Sequence, residues 1–164
     1  MPLFANNKRC LAVFPPTVAV WFLFLTVLSV QALDCPFELP IAEVSVKNHK
    51  LTVELATTPA ARSCGLSHRH QLSPDYGMLF VFPDVGARTF WMKDTFIALS
   101  IAFLDAAGEI LSIQKMTPDQ TAEEYHSGQP VSYALEVNQG WFERNGVSVG
   151  DRVEMQLPLV LDLR

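Results

Sequence analysis

The sequence predicts a mainly β protein: a small antiparallel barrel or jelly-roll-like sandwich with one or two short helices, preceded by a signal peptide. Three observations carry this. Past residue 40 the apolar residues fall into about seven or eight short runs, several alternating with polar residues at the period of a half-buried strand. Turn signals recur between them. Only two stretches suit a helix, and both are too short for the crossovers of a βαβ fold.

The chain of 164 residues begins with a basic pair, Lys8 and Arg9, ahead of an apolar stretch from Leu11 to Val30 interrupted by Pro15, Pro16 and Thr17. The uninterrupted part, Val18 to Val30, is long enough for a signal-peptide core and shorter than the roughly 20 residues of a membrane span. Val30-Gln31-Ala32 supplies the small residues of a cleavage site, so cleavage is expected after Ala32. The alternative is an uncleaved anchor through residues 11–30. Lipid attachment is excluded, because Asp34 directly precedes Cys35. The expected organisation is a signal peptide over 1–32, an extended lead-in and first strand over 33–50, a single β-rich domain over 51–158 and a tail over 159–164. The expected location is outside the cytoplasm, periplasmic or extracellular.

Removing Lys8 and Arg9 from a chain of net charge −5 leaves −7 for the exported part. Dispersed negative charge argues against nucleic acid and anionic membranes as partners. A membrane contact is expected only through an uncleaved signal.

In the exported part, Pro36 and Pro40 keep the lead-in irregular. Ile41–Val46 and Leu51–Ala56 read as strands with a turn at Asn48-His49; Leu51, Val53 and Leu55 alternate with Thr52, Glu54 and Ala56. Thr58-Pro59 opens a short helix that Gly65 ends. Gly77–Phe82 is a continuous apolar run, expected as a strand buried on both faces and ended by Pro83-Asp84. Arg88–Met92 is a short extended piece. Phe96–Leu104 and Glu109–Met116 form the clearest hairpin, turning at Asp105 to Gly108. Thr117–Pro130 reads as a long polar loop. Val131, Tyr133, Leu135 and Val137 then alternate with Ser132, Ala134, Glu136 and Asn138. One or two helical turns follow over Gly140–Asn145, and a last strand carries Val153, Met155 and Leu157.

Of three cysteines, Cys10 lies in the signal, leaving Cys35 and Cys64. An even number in an oxidising compartment predicts their disulfide. Closing a loop of about 30 residues is worth ~3–4 kcal/mol in the chain-entropy model. Two separate buried thiols, or a reactive Cys64 with His68 one helical turn later, are the alternatives.

The ordered segments TPAARSCGL (Thr58–Leu66), GMLFVFPD (Gly77–Asp84), FWMKDT (Phe90–Thr95), IAFLD (Ile101–Asp105), YALEVNQGWF (Tyr133–Phe142) and VSVGDRV (Val147–Val153) together closely resemble the family called domain of unknown function 192. The likeness spans residues 51–157. It implies a compact, mainly β domain of barrel or jelly-roll-like type, often exported, and no established reaction. Three departures stand out. Asp94 occupies a position usually Asn, Ser100 one usually Asp, and Ser67-His68-Arg69 replaces a Met-aromatic-Arg run. One carboxylate is lost and another gained. If the two places face each other, a single carboxylate serves from the other strand.

Phe90–Thr95 combines aromatics with polar side chains in the mixture that pockets use. Trp91 is expected as a platform, with Lys93, Asp94 and Thr95 as polar handles. The competing reading is core aromatics beside an ordinary ion pair. Glu136, Asn138 and Trp141 form the second candidate. There the alternative is a solvated strand face with Trp141 as a packing anchor. Tyr125, in the long loop, is placed to close over a cleft. The expected arrangement sets Phe90–Thr95 against the Glu136 strand or the Tyr125 loop, lining the main polar cleft. Arg62 reads either as a surface charge or as a buried staple. His68, His70 and His126 lack firm metal-ligand spacing, so no metal is expected, and no cofactor either. No nucleophile elbow, phosphate-cradling loop or HExxH pattern occurs. The function expected is binding of a small molecule, glycan or envelope partner. A hydrolase of envelope glycans using Lys93, Asp94 or Glu136, and a purely structural accessory protein, are the alternatives.

Overall fold

The computed structural model describes residue 35 and residues 38–157. The expected signal peptide (1–32), the alternative anchor (11–30) and the tail (159–164) lie outside the described residues. Among the described residues nine strands and two short helices follow in the order β1 (Ile41–Val46), β2 (His49–Ala56), α1 (Pro59–Cys64), β3 (Tyr76–Gly86), β4 (Thr89–Trp91), β5 (Leu99–Leu104), β6 (Ile110–Met116), β7 (Glu124–His126), β8 (Val131–Asn138), α2 (Trp141–Arg144) and β9 (Val153–Met155).

Seven strands form one sheet in the order β6-β5-β8-β3-β2-β1-β9, and β4 pairs with β7 in a separate ribbon. The sheet is curled into a half-barrel. A single bridge between Glu109 and Arg152 joins the start of β6 to the start of β9, the two ends of the strand order. Gly108 permits this approach: it has φ +81°, and a Cβ there would stand 2.5 Å from the Val153 carbonyl oxygen.

The expectation of a wholly antiparallel sheet is corrected at one pair. β2 and β3 run parallel, Leu55 opposite Leu79. The connection through α1 and residues 65–75 is long enough for the crossover that parallel strands need. β3 continues past Pro83-Asp84 to Gly86. Its pairing with β8 is irregular between Val81 and Gly86, where a proline lacking a donor is tolerated. The first hairpin turns at Lys47-Asn48, since Val46 pairs with His49.

Both faces of the sheet are covered. On one, Val53, Leu55, Leu79, Leu135 and Val137 pack with Trp141 and Phe142 of α2. On the other, Met78, Phe80, Ile101, Phe103 and Ala134 pack beneath Ala61, Leu66, Met92 and Tyr125. The second layer comes from α1 and the β4–β7 ribbon. The disulfide between Cys35 and Cys64, with Cα atoms 5.4 Å apart, ties the lead-in to the end of α1.

Candidate functional site

The Thr58 hydroxyl accepts the Ala61 N–H at 3.2 Å and starts α1, Pro59 supplies its first helical residue, and Gly65 ends it at φ +52°. This short helix carries Arg62 to the second face of the sheet. There the Arg62 guanidinium donates to the carbonyls of Thr57 and Val81, so Arg62 is a staple between α1 and β3. Burial and the neighbouring Arg88 hold its pKa below the usual value. Arg88 lies 4.2 Å over the Phe82 ring, with Arg62 at 5.8 Å. Arg88 also pairs with Asp84 at 3.1 Å.

Between α1 with its exit loop, β3, β4 and the loop after it, a cavity of about 200 Å³ opens. The helix side gives Arg62, Cys64, Leu66 and Ser67; β3 gives Phe80 and Phe82; the β4 side gives Arg88, Phe90, Trp91, Met92 and Thr95. Leu99 and Glu136 close it from β5 and β8. Phe90 meets Phe80 edge-on at 4.9 Å and Phe103 at 5.6 Å. Trp91, 51% exposed, stands at the rim.

Glu136 is the chemical anomaly of this cavity. Its side chain lies between Met78 of β3 and Ile101 of β5, both fully buried. Gly77 lets the backbones close up beside it, since a Cβ there would meet the Glu136 carbonyl oxygen at 2.5 Å. Glu136 is 4% exposed, and no hydrogen bond from the described residues reaches its carboxyl group. Burial alone pushes its pKa from 4.5 up to about 8. At neutral pH it is therefore mostly a neutral acid, able to donate and to accept.

Three of the residues singled out from the sequence line the cavity together: Trp91, Thr95 and Glu136. Five do not. Lys93 is exposed and outside the lining. Asp94 turns the chain at φ +57°, and its carbonyl accepts the His68 N–H at 2.7 Å. Tyr125 is buried opposite Phe90 in the β4–β7 ribbon. Its hydroxyl donates to Glu123 and accepts the Thr117 N–H, each at 3.0 Å. The long loop expected around it therefore contains β7. Asn138 donates to the carbonyls of Leu72 and Ser73 at 3.2 and 2.9 Å. Trp141 belongs to the opposite core and donates its indole N–H to Asp75 at 3.3 Å.

The solvated-face reading of β8 is corrected too, because residues on both of its faces are buried. Ser100 accepts the Gly140 N–H at 3.1 Å. Its strand neighbours Leu99 and Ile101 belong to the second core, so Ser100 faces the first core. It does not share the cavity with Glu136. His70 stacks on Phe96 at 5.0 Å and His126 bonds Thr89 at 3.0 Å. Among the described residues no three side chains form a metal-binding group. Arg88 escaped the sequence reading. Its signal is a cation between Phe82 and Phe90, four residues after Asp84.

Comparison with known proteins gives the same fold and no activity. A family model described as "Uncharacterized ACR" matches residues 42–155. A proposed transcription regulator from Sinorhizobium meliloti 1021 is 37% identical, with a TM-score of 0.71 over 73% of this chain and 97% of that one. A protein of unknown function from Novosphingobium aromaticivorans DSM 12444 is 31% identical, with a TM-score of 0.69 over 75% of this chain and 91% of that one. No curated protein matches the chain.

Proposed function

We propose that this chain, which belongs to the family of domain of unknown function 192, is an exported domain that binds a small molecule in the cavity beside Glu136. The observation that carries the reading is the Glu136 carboxyl: 4% exposed, without a hydrogen-bond partner among the described residues, and lining an open cavity. A buried polar group left unmatched costs about 1–3 kcal/mol. A native fold keeps such a group where a ligand or water meets it. A mostly apolar cavity with few polar groups is the usual form of a small-molecule site. A volume of about 200 Å³ suits a compact ligand better than a glycan chain.

The hydrolase reading has less support. Acid–base cleavage of a glycoside uses two carboxyl groups, and among the described residues Glu136 is the only acidic one lining the cavity. The net charge of −5 likewise gives no support to nucleic-acid binding. Export rests on the signal-like residues 1–32 and on the disulfide, a bond that persists in oxidising compartments.

A thermal-shift screen of the purified protein against a metabolite library tests the site. Stabilising compounds are expected to lose their effect on Glu136→Gln and Trp91→Ala. Hits that stabilise both variants as well as the wild type would overturn the assignment. Mass spectrometry of the protein from the cell envelope is expected to find a chain beginning at Leu33. An intact N-terminus in the membrane fraction would speak for the anchor.

A further inference from the structure

We infer that the ligand of this cavity is an organic cation, a substituted ammonium on an apolar or aromatic body, with the ammonium against Glu136 and the body against Phe80, Phe90 and Met92. The inference rests on the binding reading above and names its ligand class.

Few groups face Glu136. From β3 and β5 they are Met78, Phe80, Leu99 and Ile101, all apolar. α1 and its exit loop bring one charged side chain to the cavity, Arg62, and the β4 side brings one, Arg88. Both guanidiniums sit at the Phe82 end. Glu136 pairs with Met78, four residues earlier on β3, which is about 13 Å along a strand. Arg62 is occupied by two backbone carbonyls and Arg88 by Asp84 through one terminal nitrogen, while the Arg88 Nε is buried without a partner among the described residues. Neither contributes to the raised pKa of Glu136, whose cause is burial alone. At the Glu136 end of the cavity the one charge-capable group among the described residues is thus an acid.

A cation answers it in two ways. It compensates the carboxylate that the fold leaves uncompensated, in a site where ion pairs are strong. It also lies against aromatic rings, which attract ammonium groups through their quadrupole. An anionic ligand would meet an acid at the Glu136 end and find its free guanidinium donor, Arg88 Nε, only at the Phe82 end.

Binding of three probes, followed by calorimetry at about pH 6 and pH 9, tests this. Benzyltrimethylammonium carries a fixed charge, neopentylbenzene is its neutral isostere, and benzylphosphonate is an anion of similar body. With a pKa of about 8, the ionised fraction of Glu136 rises from roughly 1% to about 90% across that range. The cation is therefore expected to bind at least about tenfold more tightly at pH 9 than at pH 6. Since its own charge is fixed, the change reports the protein. Glu136→Gln should abolish both the pH dependence and the preference over the neutral isostere. Equal binding of isostere and cation would overturn the inference while leaving a small-molecule cavity in place. Tighter binding of benzylphosphonate would overturn it in favour of an anion held by Arg62 and Arg88. Failure of all three probes would overturn it as well, and the library screen would then decide separately whether the cavity binds anything.

Discussion

Glu136→Gln is expected to change how stability depends on pH. In the folded protein burial raises the Glu136 pKa from 4.5 to about 8. Below pH 4.5 the group is protonated in both the folded and unfolded chains and contributes no pH dependence. Between 4.5 and 8 the unfolded chain ionises while the folded one keeps its proton, so stability falls as pH rises. Above 8 the folded group ionises too, and the loss levels off. At about 1.4 kcal/mol per pH unit the full effect approaches ~5 kcal/mol, of which about 4 falls between pH 5 and pH 9. Water entering the cavity makes that an upper figure. Glutamine keeps the shape and removes the titration, at a cost independent of pH for burying its amide. Urea unfolding of both proteins at pH 5 and pH 9 isolates the effect, because every other titrating group is common to both. The variant should gain several kcal/mol relative to the wild type on going to pH 9. Parallel stabilities at the two pH values would refute the claim that Glu136 is buried without compensation.

Three further outcomes follow from the same geometry. Cys64→Ser opens the link to Cys35, 29 residues away, and should lower stability by ~3 kcal/mol; thiol labelling of both cysteines in the unreduced native protein would contradict the bond. Asn138→Ala frees the Leu72 and Ser73 carbonyls and should cost about 1–2 kcal/mol, with faster limited proteolysis between residues 67 and 75; unchanged proteolysis would argue against this tie. Lys93→Ala, at an exposed position outside the cavity, should leave melting temperature and ligand binding unchanged, and a clear loss of binding would return Lys93 to the site.

The elements that the sequence made legible are those whose pattern is local. The hairpin β5–β6 shows in its apolar runs and its glycine turn, β3 in its unbroken apolar run, and β8 in its alternation. β7 was hidden because three residues carry no period, and because its partner β4 lies far away in the chain. The alternation of β8 marked one core face. The cover over its other face comes from α1 and the β4–β7 ribbon, so nothing near Glu136 in sequence announces its burial. Asn138 shares the pleat of Glu136, but it stands at the strand end and reaches the 72–73 backbone instead. Lys93 and Asp94 had suitable chemistry for a pocket. The left-handed turn at Asp94 is a backbone property, and no side-chain inventory foretold it.

The function proposed above requires that the cavity beside Glu136 receive a ligand. Chemical-shift mapping on the isotope-labelled protein, titrated with a fragment library containing cationic, neutral and anionic compounds, tests it most directly. Binding fragments are expected to perturb the amides of Gly65 to Ser67, Phe90 to Met92 and Glu136 together, with cationic fragments the strongest. Fragments that bind but perturb only residues on the opposite face, such as those around Trp141, would contradict it.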